Sequence, residues 1–199
     1  MKHLILMMNF VFGLTFQSTN TDLSPKILKS IDKEIKKNWK GINVSRIPLL
    51  MENSKTQDLE FNADNAFILL NNTDTLAYLF VRRTNGCVMG GCKNSKIDNM
   101  DIIMSNNFTE RYEHFDYMAI LNKDLSIKKI KVLVYDGEYG FEITSKLWLK
   151  QFIGYQGEKL KYGSDIQAIS GATVSAQSIS DDIQLLVELA KKLRILGAI

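Results

Sequence analysis

The sequence predicts an α+β fold: an antiparallel hairpin sheet packed with an N-terminal helix, a short middle helix and a long C-terminal helix. Three observations carry this. Two stretches read strand–turn–strand, Phe67–Leu70 with Leu76–Val81 and Phe115–Leu121 with Ile127–Tyr135. Apolar residues near both ends of the chain recur at three- and four-residue steps. Helices and strands also come in blocks instead of alternating, which excludes a doubly wound sheet.

The first helix opens at Ser24-Pro25, with a capping hydroxyl and a proline at the first helical position. Ile27, Leu28, Ile31, Ile35 and Trp39 share one face, and lysines at 33, 36, 37 and 40 form a solvated face opposite. Gly41 ends it. Ile47–Leu50 and Leu59–Phe61 read as short strands. Asn71-Asn72-Thr73-Asp74 turns the first hairpin, and Asn122-Lys123-Asp124 the second. Between the hairpins, Arg82–Lys96 reads as a polar, glycine-rich loop carrying both cysteines, Cys87 and Cys92. His114 falls just before a strand and takes no catalytic role.

Asp136–Gly140 is a loop, and Thr144-Ser145 can cap a short helix over Lys146–Ile153 with Trp148, Leu149 and Phe152 on its apolar face. Gly154 and Gly157 end it. A short strand, Ile166–Ile169, then runs into Ser170-Gly171-Ala172-Thr173 and the final helix. In that helix Ile179, Ile183, Leu186, Val187, Ala190 and Leu193 repeat at helical spacing. Asp181 and Asp182 early and Lys191, Lys192 and Arg194 late match the helix dipole.

With 199 residues and 45% hydrophobic content, the chain can bury a sizeable core. Its 25 Lys+Arg interleave with 22 Asp+Glu, which argues against a nucleic-acid partner. Lys2 and His3 precede an apolar run, Leu4–Phe16, too short to span a bilayer comfortably and placed where a secretory signal belongs. The expected organisation is a signal peptide or short anchor over 1–18, a helix with short strands over 19–65, and one further domain over 66–199. Export then makes a Cys87–Cys92 disulfide the simplest expectation, ahead of a thiol–disulfide redox pair. Two sulfurs without a nearby histidine make at best half a zinc site, so no metal is assigned.

The SGAT stretch is the candidate site. Small residues let a ligand approach the backbone, and a helix start offers unpaired N–H groups at the positive end of a dipole. The hydroxyls of Ser170, Thr173 and Ser175 are expected to converge there, which suits a phosphate. A bland alternative is a tight strand-to-helix connection capped by Thr173 or Ser175. There is neither a P-loop lysine nor a spaced-glycine fingerprint, so nucleotide hydrolysis is disfavoured.

SGATVS resembles the loop of the FMN-binding domain in the flavin-carrying subunits of sodium-pumping NADH:quinone reductase and Rnf-type complexes. Gly140–Gly154 (GFEITSKLWLKQFIG) is similar to that family's second recognisable stretch. FDYMAILNKDL and the Gly86–Cys92 loop resemble a subgroup of small exported members. The likeness covers roughly residues 66 to 194. It implies FMN held by Ser170, Gly171, Ala172, Thr173 and Ser175, with the phosphate esterified to Thr173 by a separate flavin transferase.

Gln167 stands where the transferase signature has an acid, six positions before Thr173. It keeps a carbonyl but loses the charge, so attachment is weakened more than binding. The isoalloxazine ring needs a flat apolar slot, for which Glu142 and Thr144 are candidate polar contacts and Trp148 a packing one. The resemblance implies an electron carrier or redox subunit in place of a stand-alone enzyme, with no catalytic acid, base or nucleophile. It would be exported, periplasmic or membrane-associated, served by redox donor and acceptor proteins, with a membrane complex as a further candidate partner. Two alternatives remain at this stage: a flavin-free interaction module of the same fold, and a thiol–disulfide protein working through Cys87 and Cys92.

Overall fold

The computed structural model describes residues 23–49, 65–88 and 112–199. Five strands form one antiparallel meander in the order β1-β2-β3-β4-β5. They are β1 (Ser45–Pro48), β2 (Ala66–Asn71), β3 (Asp74–Val88), β4 (Tyr112–Leu121) and β5 (Ile127–Tyr135). Helix α1 (Pro25–Asn38) covers one face, while α2 (Lys146–Leu149) and α3 (Thr173–Ile195) cover the other. The α+β class with its three helices is as the sequence predicts.

Alternation along the strands divides the core in two. On the α1 side, Phe67, Leu69, Leu79, Met118 and Ile120 meet Ile27, Ile31 and Ile35. Each such side chain contributes about 1.5–3 kcal/mol by leaving water. The larger cluster, on the α3 side, sets Phe80, Phe115, Tyr117 and Leu121 against Ile179, Ile183, Leu186 and Val187. Several positions here are explained by local geometry. The Ser24 hydroxyl accepts from the Ile27 N–H at 3.4 Å, and Gly41 takes φ +77 beyond the α1 end. The second hairpin closes with Leu125 at φ +69 and an Asn122–Ser126–Asp124 hydrogen-bond cluster.

Five expectations need correction. Arg82–Val88 is not loop but the far half of β3, paired with β4 from Arg82↔Tyr117 to Asn85↔His114. Its polar residues are tolerated because both arginines find carboxylates: Arg83 pairs with Asp116 at 2.8 and 3.0 Å, and Arg82 with Asp182. The register shifts between Asn85 and Val88, and Gly86 lies so close to Glu113 that an added Cβ would sit 3.2 Å from the Glu113 carbonyl oxygen. His114 accordingly lies inside β4.

Ile166–Ile169 is not a strand either. A single bridge joins Tyr162 to Ile166, and side chains satisfy the backbone instead of a ladder. The middle helix is also shorter than Lys146–Ile153, with 3-10 turns at Phe141–Thr144 and Lys150–Phe152 and no side-chain cap from Ser145. Finally, Asp181 and Asp182 lie beyond the first turn of α3, so they do not serve its dipole. The expected leader over 1–18, the Leu59–Phe61 strand, the Met89–Lys96 part of the loop and Cys92 lie outside the described residues.

Candidate functional site

The backbone leading into the SGAT loop is held by side chains from α2 and its flanks. The Trp148 indole N–H donates to the Gln167 carbonyl at 2.8 Å, and the Gln167 N–H donates to Gln151 Oε1 at 2.7 Å. Two residues on, the Ile169 N–H donates to the Tyr162 hydroxyl at 3.0 Å. Gly171 then adopts φ +84, a left-handed conformation that glycine tolerates without strain. Ala172 is fully buried, and its carbonyl accepts the first helical bond, from Ala176 at 2.9 Å.

Helix α3 therefore starts at Thr173 behind an alanine N-cap, with no side chain capping it. This removes the bland reading in which Thr173 or Ser175 is the cap. Ser170, Gly171 and Thr173 are exposed. The first-turn N–H groups and the dipole's positive end are thus unopposed by a side-chain acceptor, the electrostatic setting that suits an anion.

Ser175 departs from expectation. It is fully buried, with its hydroxyl 3.1 Å from the Tyr135 hydroxyl and 3.7 Å from Cys87 Sγ. Only Ser170 and Thr173 offer hydroxyls to solvent at this loop; Ser175 can offer a backbone N–H. Its side chain instead locks the helix start to β5. The Tyr135 hydroxyl in turn donates to the Tyr139 carbonyl, which pins the Asp136–Gly140 loop. Burial, opposed by the Ser175 contact and reinforced by Glu113 and Glu142, pushes the Tyr135 phenol up, so it stays protonated as a donor. Gly140 makes this packing achievable: at φ +85, a Cβ there would lie 2.6 Å from both Ser175 Oγ and the Tyr135 hydroxyl.

Beside the loop runs an open groove of about 670 Å³, bounded by Glu142, Leu147, Trp148, Gln167, Ile169 and Ser170 among others. Two separate stretches, Glu142–Gln151 and Gln167–Ser170, therefore meet along one groove, with Ser170 at the SGAT end. Glu142 is exposed, and Leu147 is 77% exposed, an apolar side chain presented to the opening. Trp148 is both core and wall: it is buried, packs edge-on against Phe152 at 5.4 Å, and still borders the groove. Thr144 is half-buried and does not border it; neither do Gly171, Ala172 or Thr173. Gln151, Tyr135 and Tyr162 hold the site and were missed in the sequence. The Trp148–Gln151 spacing, which puts both on one side of a turn, was the available signal.

A second polar cluster lies on the same face of the sheet. Arg82 forks onto both oxygens of Asp182, which also accepts from the Tyr117 hydroxyl at 2.6 Å. Burial opposes the Arg82 charge, but Asp182 outweighs it and holds the guanidinium firmly protonated. Burial first, then the Asp182 charge, pushes the Tyr117 phenol well up. These groups satisfy one another and tie β3 and β4 to α3. Among the described residues, no three His, Cys, Asp or Glu side chains gather as a metal site would require. No helix among them is long and apolar enough to cross a membrane.

No family model matches the chain. No curated protein matches it either.

Proposed function

We propose that this protein binds FMN and carries electrons outside the cytoplasm, with the flavin phosphate at the start of α3 and the ring along the adjacent groove. The observation that carries the reading is the meeting of an uncapped helix start, bearing exposed Ser170 and Thr173, with a groove bordered by Glu142, Trp148 and Gln167. Its volume falls within the ordinary range for cofactor sites. Ser170 and the first-turn N–H groups would hold the phosphate, and Thr173 is open to a transferase. Leu147 and the Trp148 edge would pack on the ring, with Glu142, Gln151 and Gln167 available to its polar edge. Thr144, which does not border the groove, would play a supporting role only.

Bound flavin supplies one- and two-electron transfer; this chain's own residues bind, orient and shield it. Export, a flavin transferase, and donor and acceptor proteins belong to the same proposal. Cys87 is fully buried and is not a free thiol, which supports a structural clip with Cys92 over an exchanging pair. Gln167 keeps a noncovalent holoprotein, or a flavin-free interaction module, as the competing outcome.

The test is FMN titration of the purified chain, with ring fluorescence and protein absorbance followed together. Saturable binding that riboflavin, lacking the phosphate, competes for only weakly supports the reading. A folded protein indifferent to FMN refutes it. Thr173→Ala should remove covalent attachment while costing little stability, because Thr173 is an exposed first-turn residue and not the cap.

A further inference from the structure

Among the described residues, basic side chains gather on one side of the sheet. Lys26, Lys29, Lys33, Lys36 and Lys37 are all exposed on the side of α1 opposite Ile27, Ile31 and Ile35, and Lys40 follows just beyond its end. β5 adds to the same side: Lys131 bonds Ser30 and Glu34, and Lys128 sits over the Trp39 ring at 5.4 Å. Residues 23–49 and 127–135 hold ten Lys or Arg against two acids, whereas the whole chain is only +3, so the remainder is net negative. The two acids offset these charges only in part, and Lys37 is the one outer lysine that also acts on Glu34. Asp32 is paired with Arg46 at 3.2 Å, and Glu34 is buried against Lys131. On this face of the described structure, the lysines therefore outnumber the acids despite their interleaving along the sequence.

We propose that the lysine face of α1 rests on an anionic phospholipid surface. The face presents ammonium point charges, with no arginine on α1 and with Trp39 covered by Lys128. It lacks the forked donors and free aromatic platforms that nucleic-acid binding uses. Seven residues, Gln17–Leu23, separate the apolar run Leu4–Phe16 from the α1 cap. Fully extended they reach about 25 Å, so α1 would stay near the bilayer were that run retained as an anchor. A cluster of lysines is attracted to an anionic lipid surface by about 1 kcal/mol per residue near it. The groove lies beyond the opposite face of the sheet, so this orientation turns it away from the bilayer. That last consequence rests on the flavin reading; membrane contact itself does not.

The experiment is co-flotation of the full chain with vesicles of phosphatidylcholine alone and of phosphatidylcholine with phosphatidylglycerol, at low and high salt. The expected result is at least about tenfold stronger partition into the anionic vesicles, lost at high salt. K26Q/K29Q/K33Q/K36Q/K37Q should lose that preference while the all-arginine counterpart keeps it, both with unchanged far-UV circular dichroism. Equal partition into both vesicle types overturns the proposal, as does a glutamine variant that keeps the anionic preference. Salt-sensitive binding to duplex DNA without a vesicle preference also overturns it, by assigning the face to nucleic acid. FMN binding is measured on the same samples, so failure here leaves the flavin reading separately judged.

Discussion

Replacing Asp182 by asparagine tests how the two layers on the α3 side are joined. Asp182 accepts three hydrogen bonds, two from Arg82 and one from the fully buried Tyr117. Asparagine keeps the shape but removes the charge and one acceptor oxygen. Breaking a buried ion pair costs about 3–5 kcal/mol, because the surviving charge is left unpaired. The Arg82 side chain is 24% exposed, so water relieves part of its loss and the low end applies. The new amide NH2 must face a donor whichever way it turns, Arg82 Nη2 or the Tyr117 hydroxyl with Arg82 Nε, and this offsets that relief by about 1 kcal/mol or more.

The net expectation is about 3 kcal/mol, which lowers a urea midpoint by about 1 M for a slope of roughly 3 kcal/mol/M. Tyr117→Phe should cost about half as much. Joint replacement of Arg82 by Met and Asp182 by Leu should recover much of the loss, since no buried charge remains. A midpoint within about 0.3 M of wild type for Asp182→Asn would refute this account.

Two further outcomes are expected. Gly140→Ala should cost about 2–3 kcal/mol, from the left-handed backbone and displacement of the Tyr135–Ser175 contact, whereas Gly171→Ala should cost only about 1–2, because its Cβ meets open space. Equal losses in thermal unfolding would show that strain alone matters. The His114 imidazole is held below its ordinary 6.5, by burial first and Arg83 second. The unfolded chain therefore binds the extra proton below that pH, and stability falls as pH drops from 6.5 towards the folded value. His114→Gln should flatten that slope below pH 6.5 in urea unfolding; an unchanged slope refutes the assignment.

Local chemistry made much of the fold legible. Ser24-Pro25, the two hairpin turns and the apolar spacing of α1 and α3 each have a short-range cause, and each lies where expected. What escaped was long-range. Arg82–Val88 reads as loop because its side chains are polar, and nothing local reveals that Asp182, a hundred residues away, neutralises Arg82 within a strand. Ile166–Ile169 has a strand's composition, yet the side chains of Trp148, Gln151 and Tyr162 take the backbone bonds that a neighbouring strand would have made.

At the site, the small residues and helix start of SGAT were readable, and Glu142 and Trp148, candidate contacts from Gly140–Gly154, border the groove that Ser170 also borders. The inward turn of Ser175 was not, since it depends on Tyr135 and Cys87 closing over the helix start. The lysine face of α1 was readable from its spacing, but the addition of Lys128 and Lys131 from β5 to the same side was not.

The most direct test is to co-express the chain with a flavin transferase, denature it with acid and map the flavin by peptide mass. Yellow colour retained on the peptide containing Thr173, and absent in Thr173→Ala, is the predicted result. A folded, exported protein that carries no flavin, bound or attached, would contradict the proposal that the start of α3 holds a flavin phosphate.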